Sequence, residues 1–355
     1  IKSDPVEYRY SYEWLFRIME QENIKHLQLG TFFEMYQLPD EWFTELRRKA
    51  ADYGVSITSV FTAHRELGGF FRDDGPGWVD VARKNFERYI DVSALLGATS
   101  VGSNPGAVLR DRMGTKAKGS ETYLKHFCEL QQRAGDLGIE WLTMEPMSCI
   151  AEPPTLPEEM KAYMDAVLPA ADGVARAGYC MDISHGYADA DQNVVWDPME
   201  LMRAALPWTS EVHLKNTDAI FNSTFGFGPA ELEKGVIDVA AFRNLMLAEA
   251  DQLPVDNMIG YLEIGGPKLG RDYSDTDLER NLRESLAHLK ENWLAEEDVA
   301  VAEPAPAIEL TSEAPVWIQP SIMCADAGHL ADDIRRLEAI GVHSLHLDVM
   351  DAHFV

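Results

Sequence analysis

Cysteine is scarce in this chain and cations are few. Four cysteines occur among 355 residues, Cys128, Cys149, Cys180 and Cys324, and no two form a CxxC pair. All four lie in apolar contexts and read as buried free thiols of a cytoplasmic protein. Lysine and arginine number 31 against 59 aspartates and glutamates, a formal net charge of −28. Phosphate backbones are bound by lysine and arginine, so a field of this sign repels DNA and RNA. A single local cation can still hold a small anionic substrate. No apolar run reaches the ~18 residues of a transmembrane helix. No secretory signal is visible in a chain that opens at Ile1 rather than Met. Neither a nucleic acid nor a membrane is therefore expected as a partner. What is present is a 46% hydrophobic content, that of a globular protein with a real core.

Apolar runs alternate with helical periodicity through most of the chain. Helices are expected at 9–22, 39–54, near 79–96, near 121–136, at 157–171, over MELMRAAL, over VAAFRNLMLAEAD and at 275–294. Between them lie seven runs that read as strands: IKHLQLG, VSITSVFTAH, ATSVGSNPG, IEWLTMEP, AGYCMDISH, SEVHLKN and MIGYLEIGG. The pattern is that of an α/β parallel sheet wrapped by helices. Seven strands are one short of a (β/α)8 TIM barrel, and the chain opens at a helix. We therefore expect a barrel over 1–295 that lacks its first strand. Residues 296–316 are rich in Ala, Glu and Pro without a helical period and read as a linker. Residues 317–355 carry a strand, a helix and a second strand, too little to bury a core alone. They read as the first βαβ unit of a second TIM barrel, cut short.

Four of the seven runs end in one ionisable residue: Glu145, Asp182, His213 and Glu263. A buried parallel strand ending this way delivers the side chain to the carboxyl edge of the sheet, where TIM barrels place their active sites. Three carboxylates and an imidazole converging there repel one another unless a cation lies between them. The set suits one hard or borderline divalent metal, Mn²⁺, Mg²⁺ or Co²⁺. Taken singly, a glutamate after an apolar strand also reads as a salt-bridged rim residue.

With these residues in order, the chain from about 9 to 294 resembles the xylose-isomerase-like TIM barrels, and among them the ketose 3-epimerases and sugar-phosphate isomerases. The carrying segments are TMEP with Glu145, MDISH with Asp182 and His185, VHLKN with His213, and YLEIGG with Glu263. The resemblance implies that these four bind one divalent metal, that Glu145 and Glu263 act as acid and base, and that His185 contacts substrate. It also leaves a homo-oligomer open. His64 at a strand end is a further candidate for a substrate hydroxyl, and Lys215 and Arg271 are the nearest cations for a substrate phosphate. Phe32, Phe33, Tyr36, Phe70 and Phe71 read either as pocket walls or as ordinary packing, and Asn104 as turn chemistry. The family's Gly-Glu pair and Arg after the metal histidine are replaced here by HLKNTDA. That departure shifts the expected substrate from a free sugar towards a phosphorylated or otherwise acidic one.

Residues 317–355 resemble the start of ribulose-phosphate 3-epimerase through QPSIMCAD and LHLDVMDAHFV. The resemblance implies metal and acid–base roles for His346 and Asp348 and substrate-pocket positions for Ser321 and Met350. Ala352 stands where that family has Gly. With the remaining ligands absent, this piece is expected to be inactive. The expected activity of the first barrel is isomerisation or epimerisation of a sugar, first of all a four- or five-carbon ketose phosphate. The alternatives are a metal-dependent decarboxylase or lyase of a 3-oxo sugar acid and a non-catalytic sugar-binding barrel.

Overall fold

The computed structural model describes residues 1–7, 10–30, 32–62, 67–264 and 277–294. Its centre is a seven-stranded parallel sheet. The strands are β1 (His26–Leu29), β2 (Ser56–Phe61), β3 (Ser100–Ser103), β4 (Trp141–Met144) and β5 (Arg176–Asp182). After a small antiparallel hairpin, β6 (Tyr187–Ala188) and β7 (Val194–Trp196), come β8 (Thr209–Leu214) and β9 (Ile259–Leu262). Neighbours run β1-β2-β3-β4-β5-β8-β9, and every pair in that series is parallel. β3 and β4 are buried at every position, as strands covered on both faces must be.

The gap between β9 and β1 is filled by Ile1–Ser3. Lys2 N donates to Leu262 O at 3.0 Å on one side. On the other, Gln28 N donates to Ile1 O at 2.8 Å and Ser3 N donates to Gln28 O at 2.9 Å. As expected, no strand precedes the first helix; an isolated bridge between Lys2 and Gln28 and these bonds span the place of an eighth strand. Three residues are too few for an apolar-run signal, yet they complete the ring of backbone pairing.

Helices follow the strands and cover the barrel. The helix Trp78–Leu96 stops at Gly97, whose φ of 75° is left-handed backbone that glycine adopts without a Cβ clash. The helix Pro198–Ala205 starts with Asp197 accepting from Glu200 N, a capping box with Pro in the first turn. The helix Pro157–Ala166 is shorter than expected from its composition. Leu168 precedes Pro169, which disfavours helical backbone at that point. Inside the barrel, a Cβ at Gly102 on β3 would lie 1.9 Å from Thr143 Oγ1 and 2.7 Å from the Phe61 ring. Glycine there gives both neighbours their room.

Phe70 and Phe71 are buried against Phe86, Tyr123 and His126, so they belong to helix packing rather than to a pocket wall. Cys180 is a buried free thiol as expected, but Cys128 and Cys149 are only half-buried. Among the described residues no helix is long and apolar enough to cross a membrane. The linker expected at 296–316 and the second-barrel residues Ser321, His346, Asp348 and Met350 lie outside the described residues.

Candidate metal centre

Glu145 directly follows β4, Asp182 ends β5, His213 lies on β8 and Glu263 directly follows β9. In the sheet register Asp182 is the partner of His213. These strand ends bring one ligand atom from each residue to within 4.8 Å of the others. Glu145, Asp182 and His213 are buried and Glu263 is nearly so.

The individual atoms divide into those already satisfied and those left over. Asp182 Oδ1 accepts from Ser184 N and Ser184 Oγ, both at 2.8 Å. Its Oδ2 has no well-directed hydrogen bond. Glu263 Oε1 accepts from Lys2 Nζ at 3.0 Å, while Oε2 has no hydrogen-bond partner. His213 Nε2 meets Gln28 Oε1 at 2.7 Å. Its Nδ1 points between Glu145 Oε1 at 3.1 Å and Glu263 Oε2 at 3.2 Å. Buried oxygens without directed hydrogen bonds are costly unless a nearby cation compensates them. Oxygens of three carboxylates and an imidazole nitrogen around one point are what a divalent cation of the Mn²⁺ or Mg²⁺ kind takes as ligands.

Two lysines share this space. Lys215 Nζ is 2.6 Å from Asp182 Oδ2 and 3.7 Å from Glu263 Oε2. Lys2, from the short closing segment, faces Glu263 and has Asp4 Oδ1 at 3.9 Å. Burial alone would lower both lysine pKa values, but the facing carboxylates outweigh it and raise them. Burial would likewise raise Glu263, yet Lys2, Lys215 and His213 hold it well below the usual carboxylate range. Asp182 is also held low, with His185 and Lys215 overcoming burial. For His213 burial pushes the pKa down, and Glu145 and Glu263 more than reverse that.

The barrel belongs by sequence to a known group. A family model described as xylose isomerase-like TIM barrel matches residues 23–292. The chain is a member of the xylose isomerase-like TIM barrel family. Solved structures agree with that assignment. A protein provisionally named a xylose isomerase, from Rhodospirillum rubrum, is 16% identical, with a TM-score of 0.63 over 79% of this chain and 93% of that one. D-psicose 3-epimerase from Clostridium cellulolyticum is 15% identical, with a TM-score of 0.60 over 80% and 93%. A sugar phosphate isomerase/epimerase from Parabacteroides distasonis is 14% identical, with a TM-score of 0.52 over 81% and 92%. At these identities the likeness is one of fold. Residues 317–355 match the ribulose-phosphate 3 epimerase family model. No curated protein matches the chain by sequence.

Within this xylose isomerase-like barrel, His185 lies beyond the end of β5 and turns back to the cluster. Its Nδ1 is 2.8 Å from Pro146 O and its Nε2 is 3.3 Å from Asp182 Oδ2. Lys215, expected as a local cation for a substrate phosphate, is buried among the carboxylates rather than set apart from them. Asn104 follows β3, and its carbonyl accepts from Ser103 Oγ at 2.8 Å. His64 and Arg271, and the side chains of Phe32 and Phe33, lie outside the described residues, and Tyr36 packs against the core.

Sequence reading missed Lys2, Gln28 and Phe61. The Phe61 ring stands edge-on to His213, with centroids 4.9 Å apart, and lies under Lys2 Nζ. Lys2 had no signal, because its segment is too short. Gln28 had one: it is a lone amide inside the apolar run of β1.

Proposed function

We propose that this barrel is a divalent-metal-dependent isomerase or epimerase of a sugar, first of all a short ketose phosphate. The observation that carries the reading is that Glu145, Asp182, His213 and Glu263 bring one ligand atom each to within 4.8 Å of the others, with Asp182 Oδ2 and Glu263 Oε2 facing the Lys215 ammonium rather than directed hydrogen bonds. A divalent ion held there by Glu145, Asp182, His213 and Glu263 would polarise a substrate carbonyl and favour loss of the neighbouring carbon-bound proton.

The chain's own residues then do the proton work. Glu145 takes the proton from carbon and Glu263 returns one, or one of them moves it between adjacent carbons. The first course gives epimerisation and the second aldose–ketose isomerisation. While Lys2 and Lys215 face it, Glu263 holds a proton poorly, so proton return from Glu263 calls for Lys215 to move towards the substrate. His185, with Nε2 beside Asp182, is the group that meets a substrate oxygen. Lys215 is the cation for a phosphate or carboxylate of the substrate. The match of residues 317–355 to a ribulose-phosphate epimerase model supports a sugar phosphate by association, as a fusion of two enzymes of related chemistry.

The two buried ammonium groups also favour a second reading. A 3-oxo sugar acid would bring a carboxylate to them and lose it as CO₂, the electron pair of the broken carbon–carbon bond passing into an enediolate that then takes up a proton. Product analysis separates the readings, since isomerisation conserves mass.

The test is deuterium exchange. The Mn²⁺-loaded protein is incubated in D₂O with a panel of ketoses and ketose phosphates and followed by NMR. Deuterium entering at C3 of one substrate, abolished by chelation and by Glu145→Gln and Glu263→Gln, is the expected result. Metal bound without incorporation into any substrate would overturn the epimerase reading.

A further inference from the structure

The loop that follows β8 turns at Phe221, whose φ is 61°. Among the described residues three non-glycines have positive φ, and phenylalanine is the bulkiest of them. Such backbone crowds the Cβ of an L-residue and persists only where the surroundings over-determine it. Here they do. Phe221 N donates to Asp218 O at 3.1 Å. Asp218 Oδ1 accepts from Ile220 N at 3.0 Å and from Asn222 N at 3.1 Å, and Oδ2 accepts from the Ser223 hydroxyl. At the stem, Asn216 and Phe225 exchange both backbone bonds, and Thr217 Oγ1 donates to Ser223 O at 2.7 Å.

The strained residue presses its ring on another loop. A Cβ at Gly186 would lie 2.4 Å from Phe221 Cε2 and 2.6 Å from Cζ, so the ring fills the space of a side chain there. Gly186 is buried and directly follows His185. The turn that carries His185 is tied on its other sides. His185 N donates to Asp182 O at 3.1 Å, and Nδ1 is 2.8 Å from Pro146 O. Beyond Gly186 the chain enters the hairpin β6–β7, which supplies little packing of its own, since Val194 and Val195 are exposed. The Phe221 ring thus closes the side of the turn that the hairpin leaves open.

We infer that Phe221 is a positioning residue: its left-handed backbone holds the ring on Gly186 and thereby fixes the turn that presents the His185 imidazole. The inference rests on the substrate role proposed above for His185. Phe221 acts through Gly186. Glycine at 221 would relieve the backbone and lose the clamp, so the phenylalanine favours a fixed geometry over stability.

The test uses the whole chain and two readouts. ¹⁵N relaxation gives the order parameters of the His185 and Gly186 amides, and chemical denaturation gives the midpoint. In the wild type both amides should be rigid, at about 0.85. In Phe221→Gly they should fall below about 0.6 while the midpoint is not lowered, because glycine takes this φ without a clash. Phe221→Asn, which also tolerates left-handed backbone, covers the case in which glycine unfolds the loop. Gly186→Ala should lower the midpoint in the wild-type chain and not in Phe221→Gly, where the ring is gone. Deuterium exchange into the substrate should slow roughly tenfold in Phe221→Gly. Wild-type order at both amides in a folded Phe221→Gly would overturn the clamp. So would a lowered midpoint with unchanged order, which is the mark of plain packing. Lost order in a protein that exchanges no substrate would support the clamp and count against the role of His185 instead.

Discussion

At Asp182 Oδ2 a lysine ammonium and the proposed divalent cation would be rivals. Lys215 Nζ stands 2.6 Å from that oxygen and occupies part of the space into which Glu263 Oε2 points. Replacing Lys215 with Met should therefore strengthen Mn²⁺ binding by roughly tenfold while abolishing turnover. Calorimetric titration checks the first part, and unchanged or weaker binding would contradict it. Protons compete at the same place. Glu145 and Glu263 raise the pKa of His213 above its ordinary 6.5. Below the raised value the imidazolium excludes a cation, and above it Nδ1 is a free ligand. Metal affinity should climb as pH rises through that value and then level off. The metal-free protein should show the opposite sign: the stability gained from the charged imidazole is full below 6.5 and lost as pH rises through the folded value. Affinity that stayed flat from pH 5.5 to 8.5 would remove His213 from the ligand set.

Between elements, Glu22 joins the first long helix to the last one among the described residues. It accepts from Arg283 Nη1 and from Lys290 Nζ, both at 2.6 Å, and both cations lie on the helix Leu278–Asn292. Burial would raise the Glu22 pKa, but the two cations outweigh it and lower it. A carboxylate with a depressed pKa adds stability that is present above its unfolded value of about 4.5 and fades as pH falls through the folded one. Glu22→Gln should cost about 1 kcal/mol or less at neutral pH, since the group is partly solvated. The loss should vanish near pH 3 in chemical denaturation, and a loss that persisted there would refute the ion-pair account. Elements of this size were readable from periodicity: five of the seven strands lie inside the apolar runs that announced them, and β5 and β8 begin one residue earlier. The hairpin β6–β7 was not, because strands of two and three residues carry no period. The four cluster residues were legible because each ends an apolar run. Gln28 and Lys2 were not, since their places follow from which strands become neighbours in the closed ring.

For the whole molecule, closure matters more than length. A sheet of seven strands joined through Ile1–Ser3 leaves no open edge between β9 and β1, and it places Lys2 beside Glu263. Backbone amides of Lys2, Ser3 and Gln28 are thus expected to exchange with D₂O as slowly as those of the neighbouring strands. Rapid exchange at Lys2 and Ser3 would mean that the ring is open there. Although the chain carries a net charge of −28, its centre holds two ammonium groups among the carboxylates. Addition of a divalent ion would offset the excess of carboxylates there, which favours the small anionic sugar proposed as substrate inside an otherwise repelling field. The most direct test is anomalous scattering from crystals grown with Mn²⁺. The account predicts one strong peak within bonding distance of Glu145, Asp182, His213 Nδ1 and Glu263, with Lys215 Nζ moved off Asp182. No peak at that position, with Lys215 still paired to Asp182 at saturating Mn²⁺, would contradict it.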